Sequence, residues 1–472
     1  MRKQGAGHGS GGMGHGAALL LLITLSQLLQ SQVPVSDKII DTVVCRSNKT
    51  HSYAIFVPAQ YDNKKEWPVI LIFDPAARGR SGVEAFLEAG RRYGFILACS
   101  NNSRNGQISD NFTAAEAMFR DVTERLRVDQ KRIYASGFSG GSRFAMALAT
   151  EDKRIAGVIG CGAGLSNDGS VLPSGQGFLY YGIAGNRDMN YPEMLDLFEL
   201  LNSKPGFTPF LRTFAGGHQW PSSDLMSEAV EWIILQGINR KLLPYDQTFI
   251  SNTEKKTESL INASVSAGDI MDAVRYMKSA ARDFNGTAFE SGLKLRLAAA
   301  QKSQEYKAAV RRWNKMVQTE KESKDTYLRY LGQVFSSASI PDTATTWWQK
   351  ETGNLARLRD KGSPENSQMA SRLLNFISIA CSGQGTSFYR SSYFAQAAFL
   401  FEICTFSDSK NPDNYYNLAR SLAQAGKSKK SVDALTAAVN HGFASRKKIE
   451  SDPAFGAIRN DPKYKELINR MK

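Results

Sequence analysis

Cysteine is scarce. Five thiols, Cys45, Cys99, Cys161, Cys381 and Cys404, are scattered over 472 residues, and none falls in a C-x-x-C pair. That spacing excludes a disulfide scaffold. Pairing of Cys381 with Cys404, or of Cys45 with another thiol, is not determined by the sequence. Histidine is equally scarce: His8, His15, His51, His218 and His441. They form no tight group with cysteine, so a zinc mechanism is not expected, and neither a metal nor a cofactor is called for. Beyond the first 35 residues no apolar run is long enough to cross a bilayer. Acidic side chains are outnumbered, 45 Asp and Glu against 59 Lys and Arg, for a net charge of +14. Such a surplus invites an anionic partner, and Lys427, Lys429, Lys430, Arg446, Lys447 and Lys448 make a basic end. No zinc finger, RNA-binding signature or basic aromatic platform accompanies it. Nucleic acid is therefore not expected; with an export signal in front, an anionic envelope or polysaccharide surface is favoured.

What is present begins with Arg2 and Lys3, a Gly/His-rich lead, and an apolar run over residues 17–25 that continues through Leu28 and Leu29. A basic stretch before a short apolar stretch predicts a secretory signal over residues 1–33, cut around residues 31–35, and a secreted or periplasmic protein. The alternatives are an uncleaved N-terminal membrane anchor and a start at Met13. Asn48, Asn111 and Asn285 head glycosylation sequons, which matter only in a host that glycosylates exported proteins.

From residue 40 to 240 apolar strand-like runs alternate with helical patterns. Strands are expected at 52–57, 69–73, 95–99, 132–136, 155–160, 178–183 and 208–214. Helices are expected at 82–93, 111–126, 142–150, 191–201 and 223–235. The continuous apolar run 69–73 fits a strand buried on both faces. Alternation of this kind predicts a parallel-type sheet with right-handed crossovers and helices on both faces. Ligands bind beyond the carboxyl ends of strands in such sheets, and Ser139, Asp188 and His218 all fall there.

Gly137-Phe138-Ser139-Gly140-Gly141 sits between a strand and a helix, the context in which G-x-S-x-G becomes a nucleophile elbow. A serine hydroxyl needs a base within hydrogen-bond reach, and the base needs an orienting group. His218, in a Gly-Gly-His loop between the last strand and the last helix, is the expected base. Asp188 is the expected orienter, with Asp168 and Asp196 as alternatives. The oxyanion requires two backbone donors: the amide of Gly140 and one from the loop after residue 73, Ala76 first and Ala77 second. Phe138, Arg78 and Trp220 are expected to touch substrate; Arg78 and Arg80 suit an anionic part of it.

These segments resemble an α/β-hydrolase over residues 50–236. More narrowly, Gly137-Phe-Ser-Gly-Gly141 and Gly217-His-Gln-Trp-Pro221 resemble the esterases related to polyhydroxybutyrate depolymerases and feruloyl esterases. The chain order Ser, Asp, His is that of an α/β-hydrolase. The resemblance implies Ser139 as nucleophile, Asp188 as acid and His218 as base, in an exported enzyme that cleaves carboxylic esters. One departure is Asp74, in Phe73-Asp-Pro-Ala-Ala-Arg-Gly79, where those esterases show a His-Gly or similar segment.

Past Arg240 helical patterns dominate, and residues 255–472 are expected to form a separate all-α domain. Ala273, Met277 and Ala280 share a helical face, residues 293–326 form a long charged run, and residues 337–341 read as a linker. Asn414-Tyr-Tyr-Asn-Leu-Ala419, Leu422, Ala425-Gly426, Ser431, Leu435 and Ala438 resemble a tetratricopeptide repeat. Stacked pairs of this kind commonly bind other chains, so a protein partner is one expectation for this half and a structural appendage the other. The function expected of the whole is an exported serine hydrolase acting on a small-molecule or polymeric ester through an acyl-enzyme. The rivals are a peptidase with the same triad, and a catalytically silent module supporting the repeats.

Overall fold

The protein is described by a computed structural model covering residues 37–165, 177–337 and 339–471. The signal or anchor expected at 1–33, and Asp168, lie outside the described residues. The described residues divide into two compact units, one of residues 37–159, 177–179 and 221–233, the other of residues 160–165, 180–220, 234–337 and 339–471.

The first unit carries β1 (Ile40–Val44), β2 (Ser52–Phe56), β3 (Trp67–Phe73), α1 (Gly79–Tyr93), β4 (Ile96–Ser100), α2 (Ile108–Arg125), β5 (Val128–Phe138), α3 (Gly140–Glu151) and most of β6 (Ile155–Cys161). Strand order is β1-β2-β4-β3-β5-β6. Val69 to Phe73 are fully buried, as their unbroken apolar run requires. β3 pairs in parallel with β4 and β5, whereas β2 runs antiparallel to β4 and to β1. The sheet is therefore mixed, a correction to the parallel-type expectation. β1 and β2 are joined by only seven residues, and a parallel pair needs a crossover of a dozen or more. β1 itself lies upstream of the first expected strand; its half-exposed Ile-Asp-Thr-Val-Val carries little apolar signal.

The second unit holds β7 (Leu179–Gly185), α4 (Tyr191–Ser203) and β8 (Thr208–Phe214), with β7 beside β8. Helix α5 (Ser223–Asn239) contributes its last turns. A large all-α region follows: α6 (Gln247–Ser266), α7 (Ile270–Asp283), α8 (Ala288–Lys302), α9 (Gln304–Ser336), α10 (Asp342–Lys361), α11 (Pro364–Arg390), α12 (Phe394–Ser407), α13 (Pro412–Gln424), α14 (Ser428–Asn440), α15 (Arg446–Ser451) and α16 (Pro462–Arg470). Ala273, Met277 and Ala280 form one buried face of α7. The charged run 293–326 is not continuous: it breaks at Ser303, whose hydroxyl accepts from the Tyr306 N–H at 3.1 Å and caps α9.

Fully buried Trp348 and Leu400 anchor one apolar cluster of this region. A second is built on Tyr416, Leu435 and Phe455. In it α13 and α14 form a tight pair: the Ser431 hydroxyl donates to the Ala419 carbonyl at 2.8 Å, and Tyr416 stacks on Phe443 at 4.4 Å. All five cysteines are free and buried. Cys404 donates to the Ser378 carbonyl instead of pairing with Cys381. Among the described residues no helix is long and apolar enough to cross a membrane.

Candidate active site

β5 ends at Phe138 and α3 begins at Gly140, so Ser139 occupies the turn alone. Its backbone is strained, with φ 54° and ψ −121°, a region that L-residues enter only when their surroundings force it. Here the surroundings are close backbones. A Cβ at Gly137 would lie 2.3 Å from the Gly141 carbonyl carbon, and one at Gly141 would lie 2.0 Å from the Phe73 oxygen. The Ser139 carbonyl accepts from Ser142 and Arg143 at 3.0 and 3.1 Å, which locks the first turn of α3. Ser139 is half-buried. As the first residue of α3, Gly140 has an N–H that the helix itself leaves without a partner.

Asp74 organises the loop after β3. Its fully buried carboxylate accepts from the Ala76 N–H at 2.8 Å and from Arg78 Nε and a terminal guanidinium nitrogen, both at 2.9 Å. The Ala77 N–H donates to the Asp74 carbonyl at 3.1 Å. Both amides considered for the oxyanion are thus engaged within the loop, and Arg78 is held by Asp74 rather than held out toward an anion. Arg80 pairs with Asp41 and Glu84.

The same loop bridges to Arg104, which Asn111 clamps on both sides, accepting from its N–H at 3.0 Å and donating to its carbonyl at 2.9 Å. Asn111→Ala is expected to lower stability by about 1 kcal/mol, the cost of losing two part-buried hydrogen bonds to the Arg104 backbone. A urea midpoint indistinguishable from wild type would refute that. The clamp also removes the Asn111 sequon from access in the folded chain.

In the second unit, Asp188 follows β7 and His218 follows β8. His218 Nδ1 lies 2.9 and 3.0 Å from the two carboxylate oxygens of Asp188. Asp188 is 1% exposed. A carboxylate only accepts, so Nδ1 is the donor of this pair, which leaves Nε2 as the nitrogen available to take up a proton. The Asn186 and Arg187 amides donate to the Phe214 and Gly216 carbonyls, both at 2.9 Å, which ties the acid loop to the base loop. Asp188 Oδ1 also accepts from the Asn190 N–H at 2.9 Å.

The structure therefore brings together the expected base and its orienter. Ser139, Gly140, Phe138, Ala76 and Arg78 belong to the first unit; Asp188, His218 and Trp220 belong to the second. Asp196 lies on α4 at an exposed position. Sequence reasoning missed Glu320, Lys324, Arg372 and Asn375, all of which bear on the acid loop; no spacing connects them to it. None of the expected site residues lines the cavity of about 570 Å³ among Tyr191, Asp269, Arg275, Trp313 and Met369. Among the described residues no group of three or more His, Cys, Asp or Glu is placed to hold a metal.

The strands and helices define an N-terminal mixed sheet flanked by helices, followed by a large all-α region. No protein-family model matches the chain, and no curated protein matches it. Solved structures similar to it include an esterase from Pyrobaculum calidifontis, at 13% identity and a TM-score of 0.33 over 46% of this chain and 90% of that one. Est1E from Butyrivibrio proteoclasticus is similar at 13% identity and 0.33, over 42% and 100% of the two chains. Esterase LipW from Mycobacterium marinum is similar at 15% identity and 0.34, over 45% and 87%.

Proposed function

We propose that this protein is an exported serine hydrolase that cleaves carboxylic esters through an acyl-enzyme. The observation that carries the reading is the pairing of His218 Nδ1 with both carboxylate oxygens of Asp188, which favours the tautomer a general base requires; the strained turn at Ser139 supports it. In this reading His218 Nε2 takes the proton of Ser139 Oγ as the oxygen attacks the ester carbonyl. The alcohol then leaves with that proton. Water, deprotonated by the same nitrogen, attacks the acyl-serine, and the acid departs as Ser139 regains its proton. The Gly140 N–H holds the oxyanion. Ala76 serves as the second donor only if its N–H exchanges Asp74 for substrate. Phe138 and Trp220 are the proposed walls for the acyl or alcohol part. The α13–α14 pair is proposed as a tetratricopeptide-like unit that takes a protein partner, and residues 1–33 as the export signal.

The test is labelling by a fluorophosphonate probe, followed by assays on matched short-chain esters and anilides. Wild type is expected to label and to hydrolyse the ester faster, while Ser139→Ala and His218→Ala do neither. Burial pushes the Cys45 thiol up to about 11 and Cys381 up to about 12, so buried thiols do not compete for the probe near neutral pH. Folded wild type that fails to label across pH 6–9 would sink the reading.

A further inference from the structure

The loop carrying Asp188 has its carbonyls captured from the helical region. Residues 186–189 present four. The Asp188 carbonyl accepts locally, from the Tyr191 N–H at 2.9 Å. The other three accept from side chains 130 to 190 residues further along the chain. A terminal guanidinium nitrogen of Arg372 donates to Asn186 at 2.9 Å, Asn375 Nδ2 to Arg187 at 3.1 Å, and Lys324 Nζ to Met189 at 3.0 Å. Arg372 and Asn375 lie one turn apart on α11, and Lys324 projects from α9.

These donors are themselves fixed. Arg372 is fully buried. Its Nε donates to Glu320 at 2.8 Å, and Glu320 also pairs with Lys324 at 2.8 Å. The rings of Tyr191 and Trp313 lie 5.7 and 5.8 Å from the guanidinium carbon. Removing three charges from water is costly, and apolar side chains of similar volume often stabilise a core as well or better. What a planar guanidinium adds is direction: it holds one carbonyl at a set angle while its other nitrogens are pinned. With the loop's amides tied to Phe214 and Gly216 on one side, the helical donors complete its restraint on the other.

We infer that Arg372, Asn375 and Lys324 are positioning residues, which set the loop so that the Asp188 carboxylate meets His218 Nδ1. The helical region is on this view a working part of the catalytic centre rather than an appendage. The kinetic consequence rests on the hydrolase reading above; the structural consequence does not.

Full-length Asn375→Ala and Lys324→Met, both at half-buried positions, and Arg372→Met are compared with wild type in two ways. One is kcat and KM on a short-chain ester, per folded molecule. The other is the low-field Nδ1 proton resonance of His218 in protein carrying ¹⁵N-histidine, tractable because the chain has five histidines. Each variant is expected to lose about 10- to 100-fold in kcat with KM within about threefold, as small misplacements of catalytic groups do. The His218 resonance is expected to broaden into solvent exchange. Arg446→Ala, on α15, is expected to change neither. Should Arg372→Met fail to fold, the two half-buried variants decide. Folded variants that keep both the resonance and kcat overturn the inference, as does a fall in kcat with the resonance intact. Loss of the resonance in the variants of a protein that hydrolyses no ester upholds the positioning role and removes the hydrolase reading instead.

Discussion

His218→Ala is expected to lower kcat for a short-chain ester by about 10⁶-fold, and Asp188→Asn by about 10⁴-fold, with KM moving by less than about threefold in each. The ranking follows from the geometry. His218 is the proposed proton carrier in both half-reactions, so its removal leaves only binding and the oxyanion donor. Asp188 does not move a proton; it holds Nδ1–H through two oxygens at 2.9 and 3.0 Å. An asparagine there offers an NH₂ to Nδ1, favours the other tautomer and takes the lone pair off Nε2. Both variants should still fold, because Asp188 and His218 lie in loops rather than in the apolar clusters. Steady-state rates with folded protein quantified by near-UV circular dichroism check this. A His218→Ala rate within tenfold of wild type would remove the base from the mechanism.

The second large effect is on stability. Gly141→Ala is expected to cost about 3 kcal/mol or more, or to prevent folding, because overpacking against a rigid neighbour cannot be relieved by a rotamer change. The new methyl would sit 2.0 Å from the Phe73 carbonyl oxygen and 2.7 Å from its carbon. Both are backbone atoms of β3, whose pairing with β4 and β5 resists movement. Gly106→Ala, where no atom lies within 4 Å of the added carbon, is expected to change stability by less than about 0.5 kcal/mol. Urea midpoints of the two variants make the comparison, and equal midpoints would mean that the elbow tolerates a side chain.

The elbow glycines illustrate what could be read before any coordinates. Strand, G-x-S-x-G and helix in succession predict a sharp turn, because small residues alone let the chain reverse that closely. Burial of residues 69–73 follows with similar directness from an unbroken apolar run. Asp74 was legible only as an oddity. Its role became plain once its carboxylate was seen to accept from Ala76 and Arg78, which engages the very amide expected to face the oxyanion. Spacing cannot tell a free amide from one already bonded to a neighbour two residues away.

The helical half divides in the same way. Ala419 and Ser431 belong to the pattern that resembles a tetratricopeptide repeat, but the hydrogen bond between them in the α13–α14 pair is visible only in the structure. The break at Ser303 was not legible either, since a serine inside a charged run reads as helix surface until its hydroxyl is found capping the next helix.

The sequence by itself determined most of the local elements, β1 and the helix break at Ser303 apart, and which serine stands at a turn that needs glycine at 137 and 141. Those follow from periodicity and from the size of side chains near one another in the chain. Tertiary structure alone decided that β2 runs antiparallel to β4, and that residues 180–220, with Asp188 and His218, fall in the same compact unit as the helices. It also decided that Arg372, 184 residues beyond Asp188 and without any periodic signal, donates to the loop beside it. Hydrogen bonds between distant segments depend on how helices pack, and packing direction is not written in the spacing of residues along a single helix.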